Sequence, residues 1–164
     1  MGKILITGVA GLLGSRLADW IVNNTNYKVV GIDDLSGGFS ENINRKVQFY
    51  KFNLIDLQAL KGVFEKENIE IVYHFAAYAA EGLSPFIRKY NYENNLIAST
   101  NLITCGIQYN ISRFVFASSM SVYGDKYKPP FNEELKQAPI DPYAVAKYAV
   151  EMDLEIAYKQ HGLN

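Results

Sequence analysis

Lys3-Ile4-Leu5-Ile6-Thr7-Gly8-Val9-Ala10-Gly11-Leu12-Leu13-Gly14 is the stretch that decides the fold. Residues 3–7 are a short apolar run suited to a buried strand. Residues 12–23 repeat apolar side chains at helical spacing (Leu13, Leu17, Trp20, Ile21). Between them stands Gly-x-x-Gly-x-x-Gly. In that strand-to-helix context Gly8 permits a tight turn, Gly11 lets backbone approach a pyrophosphate, and Gly14 lets helix pack on strand. The helix N-terminus, at Leu12 and Leu13, offers N–H groups and partial positive charge to phosphates. A glycine-rich turn without a ligand is the bland alternative. A nucleoside-triphosphate loop needs Gly-Lys-Ser/Thr. Here Ser15 and Arg16 follow Gly14, which excludes it.

Working outward, residues 28–32 read as a second buried strand that ends at Asp33, 25 residues past Gly8. A carboxylate there accepts from the adenosine ribose hydroxyls and repels a 2′-phosphate. No Lys or Arg follows in Asp34-Leu35-Ser36-Gly37-Gly38, so the dinucleotide expected is NAD. Further strands are predicted at 47–52, 70–75 and 113–117. Helices are predicted at 56–67 (capped by Asp56), 83–109 (Pro85 in the first turn) and 142–160 (capped by Asp141, Pro142 first). Strands alternating with helices predict an α/β protein with a doubly wound parallel sheet. Residues 123–141, with Pro129, Pro130 and Pro139, form a long irregular segment.

The 164 residues suffice for one domain with a real core. Net charge is −1, which gives no electrostatic reason to expect nucleic acid or a membrane surface. No run approaches the roughly 20 apolar residues that span a bilayer. Residues 1–6 read as a strand rather than a secretory signal. The single Cys105 cannot form an internal disulfide and reads as a core residue. A cytoplasmic protein is expected.

Tyr143-Ala144-Val145-Ala146-Lys147 puts Tyr and Lys four apart on one helix face. A phenol titrates near 10, too high for a base at neutral pH. A nearby ammonium favours the phenolate, and a positive nicotinamide ring would favour it further. Lys147 is also placed to hold the nicotinamide ribose. Upstream, Phe114-Val115-Phe116-Ala117-Ser118-Ser119-Met120-Ser121-Val122-Tyr123-Gly124 sets hydroxyls just past a strand, where open α/β sheets bind ligands. Ser119 is suited to hydrogen-bond a substrate hydroxyl or the oxygen formed on its oxidation. Ser118 is expected only to cap the next turn.

The glycine turn, Asp33, Ser-Ser-x-x-Val-Tyr-Gly and Tyr-x-x-x-Lys, in this order, resemble the extended short-chain dehydrogenases/reductases. Within them the chain is most similar to the nucleotide-sugar epimerases of the UDP-glucose 4-epimerase kind. The resemblance implies a Rossmann fold over 1–164, with Gly8, Gly11 and Gly14 on the pyrophosphate and Asp33 on the ribose. Asn53 and Leu54 would meet adenine, with Asn standing where the family usually has Asp. Phe75, Ala76 and Ala77 would form the strand end against which NAD lies, and Asn95 would lie in the helix behind it. Ser119, Tyr143 and Lys147 would be the catalytic set, and His74 structural.

The resemblance also implies the reaction. Family 4,6-dehydratases carry Asp-Glu after the catalytic hydroxyl; here stand Met120 and Ser121, neither able to remove a carbon-bound proton. What remains is epimerisation at C4 through a transient 4-keto sugar, with NAD regenerated in each cycle. Another epimerase or a reductase of the family, or a catalytically silent NAD-binding module, stays open. The smaller C-terminal part that grips the nucleotide sugar is expected to lie outside these residues. The helices at 83–109 and 142–160 are expected to pair two subunits into a homodimer. A role for Glu81 near the substrate is left open.

Overall fold

A computed structural model describes residues 2–164. Five parallel strands form one sheet in the order β3-β2-β1-β4-β5. They are β1 (Lys3–Thr7), β2 (Lys28–Asp33), β3 (Gln48–Lys51), β4 (Ile69–His74) and β5 (Arg113–Phe116). The helices are α1 (Leu12–Asn24), α2 (Leu57–Lys66), α3 (Arg88–Tyr92), α4 (Ala98–Gln108) and α5 (Pro142–His161). The chain winds outward through β2 and β3, then crosses back to pair β4 with β1. The order therefore reverses between β1 and β4. Ligands of open α/β sheets bind at the carboxyl ends of strands at such a point.

Alternation along β1 explains the two layers. Ile4 and Ile6 pack with Ala18 and Ile21 of α1 on one face. Leu5 points the other way, into a core with Leu60 and Val63 of α2, Leu102 and Cys105 of α4, and Val150 and Ala157 of α5. The sheet is thus doubly wound, as the alternation of elements predicts. Burial pushes the Cys105 thiol up to about 11, in keeping with an inert core residue.

The caps follow the sequence. Asp56 accepts from the Ala59 N–H at 3.0 Å, and Asp141 accepts from the Ala144 N–H at 2.9 Å. One element differs. The predicted helix over 83–109 begins only at Arg88 and carries a wide π-turn at Glu93–Ile97. Pro85 lies ahead of it rather than in its first turn. Leu83 and Phe86 mimic a buried helical stripe but face outward, while Ser84 between them is fully buried. This segment bends so that Ser84 faces α5, and apolar spacing carries no signal of that.

Candidate active site

Gly8 leaves β1 with φ at +71°, a left-handed conformation that favours glycine. A Cβ there would come within 2.7 Å of the Ala76 nitrogen, so the turn and the end of β4 touch backbone to backbone. A Cβ on Gly14 would run into the Gly8 carbonyl. The first turn of α1 begins at Gly11 with no side-chain cap and no acidic residue. Its N–H groups therefore suit a bound anion, and the glycine cradle fits the pyrophosphate of a dinucleotide.

One cleft runs from this turn across the sheet edge. Gly8, Gly11, Asp33, Asn53, Leu54, Phe75, Ala76 and Ala77 all line it. Leu12 and Leu13, on the first turn of α1, are exposed and do not line it. Gly14 lies beneath the turn. Asp33 is fixed by two N–H donors, Ala10 at 3.0 Å and Leu35 at 2.8 Å. Asn53 donates to Asp34 at 2.7 Å and to the Asn94 side chain at 3.1 Å, and accepts from the Ile55 N–H at 3.0 Å. Sequence reading passed over Asp34, which doubles the negative charge at the β2 end. Burial pushes its carboxyl up, but hydrogen bonds from Ser36 and Asn53 outweigh it and hold the pKa below the usual value.

Asn95 is buried behind the cleft and does not line it. Its side chain accepts from the Tyr78 N–H at 2.8 Å and donates to the Tyr78 carbonyl at 3.0 Å and to Asn91 at 2.8 Å. Its hold on a cofactor is thus indirect, through the wall at Tyr78. Beside it His74 is sealed in the core. Burial, with the charge of Lys147, pushes its pKa down to about 3, so it is neutral. Ser99 donates to the Asn95 carbonyl at 2.7 Å, so its oxygen must accept the Nε2–H of His74 at 2.8 Å. Nδ1 is then an acceptor and takes the Thr7 hydroxyl at 2.7 Å, while Thr7 Oγ1 accepts from the Ala76 N–H at 3.3 Å.

Ser119, Tyr143 and Lys147 converge past the end of β5. Lys147 is only 3% exposed. Its Nζ donates to the Ala117 carbonyl at 2.9 Å and lies 4.7 Å from the Phe116 ring centre and 5.7 Å from that of Tyr143. Burial pushes its pKa down to about 8. Ser119, not Ser118, caps the turn that follows: its Oγ accepts from the Ser121 N–H at 3.2 Å and from the Ser121 hydroxyl at 2.9 Å. Ser118 instead bonds the Glu151 carboxylate. With two donors pointing at its oxygen, Ser119 keeps its own proton to donate outward. Ser121 thus orients Ser119, a role its position alone did not reveal.

Tyr143 corrects one expectation. Its pKa is raised, not lowered: burial outweighs the hydrogen bond from Ser119, and the charges of Glu81 and Asp141 add to the rise. Lys147 alone does not make this phenol a base. Among the described residues no cluster of His, Cys, Asp and Glu suits a metal, and no helix is long and apolar enough to cross a membrane.

The profile of the NAD dependent epimerase/dehydratase family matches residues 4–164. The UDP-glucose 4-epimerase of Schizosaccharomyces pombe is 36% identical over 94% of this chain and 46% of its own length. Among solved structures, the UDP-glucose 4-epimerase of Thermotoga maritima with UDP-glucose superposes with a TM-score of 0.94 at 36% identity, covering 98% of this chain and 52% of that one. The Thermus thermophilus UDP-glucose 4-epimerase complex with NAD gives 0.93 at 29% identity, covering 98% and 52%. The chain spans about half the length of the curated relatives it matches.

Proposed function

The chain belongs to the NAD dependent epimerase/dehydratase family, and from that premise we propose that it is the cofactor-holding and catalytic half of a nucleotide-sugar C4 epimerase. The substrate class is a UDP-hexose of the UDP-glucose/UDP-galactose type. One observation carries the reading: Ser119, Tyr143 and Lys147 meet past the end of β5, the strand paired with β4, whose continuation Phe75–Ala77 lines the cleft, with Met120 and Ser121 in place of an acidic pair.

Gly8, Gly11, Gly14 and the N–H groups of Leu12 and Leu13 hold the pyrophosphate. Asp33 holds the adenosine ribose, Asn53 and Leu54 flank adenine, and Lys147 holds the nicotinamide ribose. NAD, when bound, supplies the two-electron acceptor and donor for sugar C4 and a positive ring beside the phenol. Tyr143 takes the proton of the 4-hydroxyl and later returns it. Ser119 donates a hydrogen bond to the oxygen at C4 and steadies the transient 4-keto sugar. Met120 and Ser121 hold no base for C5, so water is not eliminated.

The test is product analysis of the full-length protein against a panel of sugar nucleotides. Interconversion of UDP-glucose and UDP-galactose without net NADH is the expected result. A 4-keto-6-deoxy product, or NADH formed in step with product, overturns the reading. Conversion of a different sugar nucleotide would favour another epimerase or a reductase of the family.

Val145, Met152 and Ile156 make one exposed stripe on α5, and Ile97 is exposed ahead of α4, which packs beside it. This apolar face supports assembly as a homodimer through the two long helices.

A further inference from the structure

Two fully buried side chains, Ser84 and Asn91, converge on a single peptide group of α5. Ser84 Oγ accepts the Tyr143 N–H at 3.2 Å. Asn91 Nδ2 donates to the Pro142 carbonyl at 2.9 Å. That N–H and that C=O belong to the same planar unit, the one that immediately precedes the Tyr143 Cα. Gripping a rigid plane at both ends fixes its rotation, and so fixes where the Tyr143 side chain sets out from.

Each grip is itself held. Ser84 donates to Asp141 Oδ1 at 3.2 Å, the oxygen that also caps α5 through Ala144. Asn91 Oδ1 accepts from Asn95, which holds the N–H and C=O of Tyr78 on the cleft wall. The arrangement exceeds what a helix start requires. Pro142 has no N–H, Asp141 serves Ala144, and Ser84 covers the remaining first-turn donor on Tyr143. The bond from Asn91 goes to a carbonyl that the helix ladder also uses, so capping does not explain it.

We propose that Ser84 and Asn91 are positioning residues for Tyr143, clamping the Pro142–Tyr143 peptide and tying it, through Asn95, to the cofactor wall at Tyr78. The activity test rests on the C4-epimerase reading; the geometry does not. In the full-length protein, Ser84→Ala and Asn91→Ala should each lower kcat about tenfold to a hundredfold, because small displacements of a reacting group are that costly. In Ser84→Ala, KM and NAD affinity should stay within about twofold, since Ser84 neither lines the cleft nor bonds Asn95. Ser84→Thr, which keeps the hydroxyl, should recover most of kcat. Val63→Ala, in the core under α2, serves as the control for lost stability alone. If Ser84→Ala and Asn91→Ala lower kcat no more than Val63→Ala at matched loss of melting temperature, the clamp is overturned.

A second readout separates this from failure of the function itself. With ring-labelled tyrosine, the Tyr143 carbon resonance, assigned through Tyr143→Phe, should titrate at a different pH in Ser84→Ala while Val63→Ala leaves it in place. That holds even if no sugar nucleotide is turned over. An unchanged Tyr143 titration in both clamp variants overturns the proposal.

Discussion

In the chain alone Tyr143 keeps its proton, because burial and the charges of Glu81 and Asp141 prevail over the hydrogen bond from Ser119. On the proposed reading, the phenol acts as a base once the positive nicotinamide ring adds to the charge of Lys147. Tyr143→Phe in the full-length protein should lower kcat by about 10²–10⁴-fold, the usual worth of a positioned acid–base group, while NAD binding persists. Equilibrium dialysis beside a coupled assay would show both. Lys147 gives a second expectation with a definite sign. Its folded pKa, about 8, lies below the ordinary 10.5. The unfolded chain therefore binds more protons between those values, and stability rises with pH across that window. Lys147→Met should raise the melting temperature at pH 7, raise it less at pH 10, and abolish turnover. His74 behaves likewise at acid pH: its pKa falls from 6.5 to about 3. Stability should fall as pH drops from 6.5 toward 3, and urea titrations of His74→Gln should show a shallower slope. Ser119, Tyr143 and Lys147, singled out in the sequence by residue type and spacing, come together in the structure. Sequence reading missed Asn91 and Ser84, since a buried polar residue is marked by its partners and not by its neighbours in the chain.

At the scale of elements, the glycine turn and the end of β4 act as one unit. Gly8 approaches Ala76 too closely for a side chain, and Gly14 lies against the Gly8 carbonyl. Gly14→Ala must push α1 away from β1. Overpacking of this kind costs about 1–3 kcal/mol. It should also weaken NAD binding at least tenfold, as titration calorimetry would read. Most elements were legible in advance: strands from short apolar runs, helix starts from Asp56 and Asp141, and the parallel order from alternation. The exception was 83–109. Leu83 and Phe86 copy a helical stripe, yet the segment serves α5 through Ser84, and the π-turn at Glu93–Ile97 leaves no mark in the spacing of apolar residues.

Over the whole molecule, the proposed reading divides function between what this sheet holds and what must reach it. The cleft and the Ser119–Tyr143–Lys147 group both lie on these 164 residues, which span about half of the relatives' length. This chain by itself should bind NAD and turn over UDP-galactose far more slowly than the full-length protein. Rapid turnover by the isolated chain would contradict that division. In the full-length protein, Met152→Asp with Ile156→Asp should convert a dimer to a monomer in light scattering, since both side chains stand on the exposed stripe of α5.

The buried chain of hydrogen bonds through His74 has one more consequence. Each proton in it points the same way, from the Ala76 amide through Thr7, His74 and Ser99 to the Asn95 carbonyl. Both terminal groups are backbone, and neither can give up or accept a proton. The row therefore cannot be reversed and cannot conduct. It joins the floor of the cleft to α4 as an insulator, with no path for a proton into the core.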